Sequence, residues 1–172
     1  MLCPNCKTII QPADIATHTV SCYRNSTKCK ICGEIIQKDR KKDHLAKFRD
    51  YDRLRELIAK DNEEEVSLFF DHGVDVNMFF EGDTQGWTPM HHAAKNGAQN
   101  VVLALISRGA GVDPPDANLK TPLFVALESG KTALSRSLIE LGSDIEARDS
   151  AQRTPLMYAC KAGSKEAVEL LL

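Results

Sequence analysis

The chain has 172 residues, is 42% hydrophobic and 27% charged, and carries a formal net charge of -2. That length allows one or two domains, and that composition fits a folded chain rather than a long disordered one. The longest apolar run, Val101 to Ile106, is far too short to cross a bilayer, so no membrane partner is expected. No secretory leader is visible, because Met1 is followed almost at once by Cys3-Pro4-Asn5-Cys6. An intracellular setting with reduced thiols, cytoplasmic or nuclear, is therefore expected. The charge is uneven: residues 1–50 hold 10 Lys and Arg against 5 Asp and Glu, whereas residues 51–172 hold 12 against 19. Five of the six cysteines also fall in residues 1–50, so a domain boundary is expected near residue 50.

At the N-terminus, Cys3 and Cys6 are followed by His18 and Cys22. A Cys-x-x-Cys turn aims two sulfurs at one centre. His18 and Cys22 are four apart on a helix-compatible stretch, so they share one face. Four N and S donors suit a closed, structural Zn²⁺ site. Residues 1–25 are thus a small module of the kind whose folding depends on metal. The same spacing returns 26 residues later as Cys29, Cys32 and His44, with Ile35-Ile36 matching Ile9-Ile10. Each copy reads as a knuckle, a short strand pair and a helix. In the second copy, residues 26–49, the fourth ligand position holds Phe48. Either this copy binds a second zinc with a water or an outside carboxylate completing the set, or it is metal-free with Phe48 in a small apolar core. Catalysis at an open position lacks an accompanying base or cleft.

The segment 1–48 resembles TRAF-type and related small fingers with Cys, Cys, His, Cys order. Cys3, Cys6, His18 and Cys22 match in full, and Cys29, Cys32 and His44 match three of four. The resemblance implies a role in adaptor or ubiquitin-pathway proteins, without a RING pattern to add ligase activity. Lys38, Arg40, Lys41, Lys42 and Lys47 lie on the helix expected over residues 39–48. They form either a solvated face, with Asp39 and Asp43 interleaved, or a contact for RNA or DNA phosphates. No Gly or Pro occurs from residue 34 to residue 72. This helix therefore either runs on through Arg49-Asp50 into the next, at Tyr51, or meets it at a short kink.

From residue 50 onward the chain repeats. Thr88-Pro89, Thr121-Pro122 and Thr154-Pro155 are 33 residues apart, as are Gly97, Gly130 and Gly163, and Ala93, Ala126 and Ala159. Proline suits the first helical turn, threonine the N-cap, and glycine a left-handed helix exit. The small alanines let neighbouring helices approach. Val101, Val102, Leu105 and Ile106 then supply the apolar face of a second helix. An earlier unit reads as a helix at Tyr51 to Ala59, a second containing Val66 to Phe70, and an end at Gly73. Gly73 to Gly109 is 36 residues, so the intervening hairpin carries three extra residues. Lacking Thr-Pro and bearing the charged run Asp61 to Glu65, this unit reads as an N-terminal cap.

These residues resemble the ankyrin-repeat family: Thr88-Pro-Met-His-His-Ala-Ala94 with Gly97, Thr121-Pro-Leu-Phe-Val-Ala126 with Gly130, and Thr154-Pro-Leu-Met-Tyr-Ala159 with Gly163. Only the first keeps the family's loop-bracing histidine, at His91; Phe124 and Met157 replace it. The expected fold is mainly α: a solenoid of four units, the last incomplete, at about 50–84, 85–117, 118–150 and 151–172, preceded by the two finger modules. The stop at Leu170-Leu171-Leu172 implies that a further segment or subunit covers Leu171 and Leu172. The resemblance implies a non-enzymatic scaffold holding a protein partner on its concave face. That places contacts at Thr84, Gln85, Trp87, Lys95 and Asn96. In the next unit they fall at Ala117, Asn118, Lys120, Glu128 and Ser129, and in the last at Ser150, Ala151, Arg153 and Lys161. Trp87 is either an interface anchor or a brace for its hairpin. Phe79 and Phe80 either cover the first helix pair or offer one ring to a partner. No phosphate loop, HExxH or nucleophile elbow is present, so neither a catalytic site nor a small-molecule substrate is expected. His92 is expected on the exposed side of its helix.

Overall fold

The computed structural model describes residues 50–80 and 84–172, together with the backbone of two short strands at 26–28 and 35–37. The chain divides into two compact units, Met1–Asp50 and Tyr51–Leu172. In the first, β1 (Ser26–Lys28) pairs antiparallel with β2 (Ile35–Gln37), with Thr27 opposite Ile36. This is the strand pair expected in the second module. The candidate ligands Cys3, Cys6, His18, Cys22, Cys29, Cys32 and His44, Phe48 beside them, and the basic run 38–47 lie outside the described residues.

The second unit is built from helix pairs. They are α1 (Tyr51–Ala59) with α2 (Glu63–Asp71), α3 (Pro89–Asn96) with α4 (Gln99–Ser107), α5 (Pro122–Glu128) with α6 (Thr132–Glu140), and α7 (Pro155–Ala162) with α8 (Lys165–Leu170). Asp50 is non-helical, so α1 starts at Tyr51 and no single helix runs through Arg49-Asp50. The first members α1, α3, α5 and α7 stack in chain order, and each packs on its own second helix. The seam is completely buried at Leu54, Ile58, Val66, Ala93, Ala94, Val101, Leu105, Leu123, Ala126 and Ala159. The alanines sit where α3, α5 and α7 meet, as close helix approach requires.

Helix ends follow the repeat. Pro89, Pro122 and Pro155 each open a helix, and Gly97 and Gly163 close α3 and α7 at φ +78 and +67°. The threonines occupy the N-cap position in extended conformation; Thr88 forms a capping box with His91, whereas Thr121 and Thr154 make no side-chain cap bond. Thr88 Oγ1 lies 3.0 Å from His91 Nδ1, which also accepts the Thr88 N–H at 3.2 Å. With Nδ1 accepting, the ring proton sits on Nε2 and is donated to the Lys120 carbonyl of the next hairpin, 3.1 Å away. His91 therefore ties one repeat to the next. One repeat on, Phe124 stands in its place, and the buried Thr121 Oγ1 has no hydrogen-bond partner among the described residues. Phe124 packs edge-on against Tyr158, ring centroids 5.2 Å apart.

Two other expectations are resolved by packing. Phe80 is buried, edge-on to Tyr51 and His92 and under the Arg55 guanidinium, while Phe79 is 62% exposed. His92 is not on an exposed side: it is half-buried between Phe80 and Trp87, at 4.7 and 5.3 Å between centroids. At the far end, Leu171 is buried and Leu172 is 90% exposed.

Candidate functional site

Each hairpin is held by an aspartate at its base. Asp116 Oδ1 accepts the backbone N–H groups of Asn118 at 2.7 Å and Lys120 at 2.9 Å. Asp149 Oδ1 does the same for Ala151 and Arg153, both at 2.9 Å. Both carboxylates are buried. They recur at the 33-residue step, five residues before each Thr-Pro; that signal was present in the sequence, although neither residue looked like a site. Adjacent hairpins are joined through their backbones: Ala117 N–H donates to Gln85 O, and Ser150 N–H to Asn118 O, each at 2.8 Å. The tips of successive repeats thus form one continuous edge.

Beside that edge, the α3 and α5 helices complete a cleft of about 340 Å³. Seven of the residues expected to meet a partner line it: Gln85, Trp87, Lys95, Asn118, Lys120, Glu128 and Ser129. Asp116 and Val125 complete the wall. Thr84, Asn96, Arg153 and Lys161 are exposed but outside this cleft, as are Ala117, Ser150 and Ala151. Leu119 was not picked out from the sequence. It is 53% exposed at the hairpin tip and adopts φ +58°, where the neighbouring repeats have Gly86 at +66° and Gln152 at +61°. A left-handed leucine costs roughly 1–2 kcal/mol, so the hairpin must hold it there.

Trp87 is both wall and brace. Its Nε1–H donates to Asp116 Oδ2 at 3.2 Å, its ring stacks on His91 at 6.2 Å, and the Lys95 ammonium sits 5.2 Å above it. Lys120 forms a 2.8 Å ion pair with Glu128 and lies 5.1 Å from the Tyr158 ring. Burial works against its charge, but the Glu128 hydrogen bond and charge outweigh that and raise its pKa. Tyr158 donates its hydroxyl to Asp149 Oδ2 at 2.8 Å. Burial first, then that bond, raises the tyrosine's pKa. Arg153 grips Asp149 side-on through Nε and Nη2, both at 2.8 Å, and the bond raises the arginine's own pKa.

The family model for ankyrin repeats, three copies long, matches residues 54–116 and 111–172, well over half of the chain. The chain belongs to the ankyrin-repeat family. Ankyrin repeats are typically non-catalytic interaction modules, and the array here supports a protein–protein interaction role with protein partners. No curated protein matches the chain. Among the described residues, no group of three or more His, Cys, Asp or Glu is arranged to hold a metal, and no helix is long and apolar enough to cross a membrane. The ankyrin histidine His91 links one hairpin to the next through the Lys120 carbonyl.

Proposed function

We propose that the chain is a scaffold or adaptor that holds a protein partner in the hairpin groove, with Trp87 as its anchor. The observation carrying this is the cleft itself. Its walls are side chains from two hairpins and two helices at the positions where ankyrin arrays vary, and one of them is an aromatic ring held by a hydrogen bond to Asp116. A rigid, half-buried tryptophan is the commonest kind of interface anchor, because little side-chain entropy remains to be lost on binding.

The test is co-purification of partners with the complete chain, compared across two variants. Trp87→Ala should lower partner affinity roughly 30-fold, about 2 kcal/mol, as for a central anchor. Leu103→Glu, on the exposed outer side of α4, should leave binding unchanged. Retained helical circular dichroism in Trp87→Ala would establish that the array still folds. Equal recovery of partner by wild type and Trp87→Ala would refute the groove.

The N-terminal modules are read as metal-stabilised extensions of the scaffold. Cys3, Cys6, His18 and Cys22 would supply three sulfurs and one nitrogen to a tetrahedral Zn²⁺ site, and zinc there would be structural. Cys29, Cys32 and His44 offer three donors of the same kind. Metal analysis distinguishes one zinc per chain, in the first module alone, from two.

A further inference from the structure

The face made by the hairpin edge and the first helices, of which the Trp87 cleft is one stretch, carries a recurring pair of positions. One lies at the hairpin base and the other on the first helix, eight residues later: Trp87 and Lys95, Lys120 and Glu128, and, by the 33-residue step, Arg153 and Lys161. In the first pair the ammonium sits 5.2 Å over the indole. In the second, cation and carboxylate satisfy each other at 2.8 Å. In the third, both members are cations. Arg153 uses Nε and Nη2 on Asp149 and is still 45% exposed, while Lys161 is exposed and makes no ion pair among the described residues. Lys95, Lys120, Arg153 and Lys161 thus stand against Glu128 and the buried Asp116 and Asp149, on an array whose residues 51–172 have 12 basic against 19 acidic side chains. These positions are more basic than the array that carries them, and Lys95 and Lys161 are the cations without an ion pair among the described residues.

We infer that the groove's partner presents an acidic peptide segment, one of whose carboxylates settles between Arg153 and Lys161 in the place Glu128 takes beside Lys120. A second carboxylate is drawn to Lys95. This rests on the groove reading above and gives it a chemistry. Coulomb attraction is strongest at Lys95 and Lys161, which make no ion pair among the described residues, and the Nη donors that Arg153 does not spend on Asp149 are directional. The self-satisfied Lys120–Glu128 pair between them favours neutral contact.

The experiment selects random peptides displayed on phage against the complete chain, then measures a selected peptide by fluorescence polarisation. Peptides recovered on the wild type should be rich in Asp and Glu, and their binding should weaken as salt rises. Lys161→Glu recreates the middle repeat's pair with Arg153. It should keep the melting temperature and weaken acidic peptides about tenfold, the scale of one charged hydrogen bond. Lys161→Gln should weaken them less. Acidic peptides that bind Lys161→Glu as tightly as wild type would overturn the assignment. Peptides that need Trp87 but are neutral or basic would also overturn it, while leaving the groove reading intact. If no recovered peptide depends on Trp87, both fail. Tighter, equally salt-sensitive binding of a short single-stranded RNA would replace the peptide by a nucleic acid and likewise overturn it.

Discussion

The carboxylate of Asp149 accepts four hydrogen bonds: from Ala151 N, Arg153 N, Arg153 Nε and Tyr158 Oη. Burial alone would raise its pKa, but the Arg153 backbone and side-chain bonds, with Tyr158 and Ala151, outweigh it and lower the value from 3.8 to about 2. A depressed carboxylate stabilises the fold above its unfolded pKa and loses that contribution as pH falls through its folded one. The loss therefore lies between about pH 4 and about pH 2. Urea unfolding should show wild type losing stability across that window more steeply than Asp149→Asn, which is less stable at neutral pH and flatter in acid. Parallel acid curves for the two would contradict the assignment. The aspartates stood in register with Thr-Pro, yet their role was not legible: an Asp in a polar hairpin reads as solvated until its lone pairs are seen to be filled. Trp87 was legible as a groove residue because it is the sole tryptophan at a variable position. Its bond to Asp116, 29 residues away, was not.

At the scale of the helix, one end is capped from outside its own repeat. Ala98 is the N-cap of α4 and has no side chain to offer. Asp61, from the preceding repeat, supplies the acceptor: its carboxylate takes the N–H of Val101 at 2.9 Å and of Asn100 at 3.3 Å, and the Asn100 amide at 2.9 Å. Asp61 adopts φ +53°, in the place where later repeats have Gly97, Gly130 and Gly163. Negative charge at a helix N-terminus adds to the bond. Asp61→Gly should therefore cost about 1 kcal/mol of array stability, the usual worth of a lost N-cap, despite easing the backbone. The readout is the urea midpoint, and a midpoint at or above wild type would show the cap to be idle. The helices themselves were readable. Tyr51 to Ala59 was expected and formed, and Pro and Gly marked the starts and ends of α3 and α7. The cap in trans was not, because a sequence scan looks for a capping residue next to the helix it caps.

The whole molecule has two compact units, Met1–Asp50 and Tyr51–Leu172. An ankyrin stack draws its stability from its own repeats and from the interfaces between neighbouring ones. Under the proposed zinc site at Cys3, Cys6, His18 and Cys22, a module of about 25 residues would have almost no core of its own, and bound zinc would supply on the order of 10 kcal/mol of its folding free energy. On that reading, a strong chelator should release zinc and collapse the signals of residues 1–25. The array's helical circular dichroism and melting temperature should persist. Loss of all helical signal on chelation would contradict it.

By itself the sequence determined the family, the repeat length, and the helix starts and ends. These depend on interactions within one repeat, which a 33-residue period writes three times over. The tertiary structure alone decided which side chains meet between repeats. Phe80 is buried and Phe79 exposed; His92 sits between two rings; Lys120 pairs with Glu128 and Arg153 with Asp149. Such pairings depend on how one repeat is offset against the next, and on residues such as Phe124 and Leu119 that depart from the period. The groove around Trp87 therefore has its position written in the sequence and its charge pattern written in the packing.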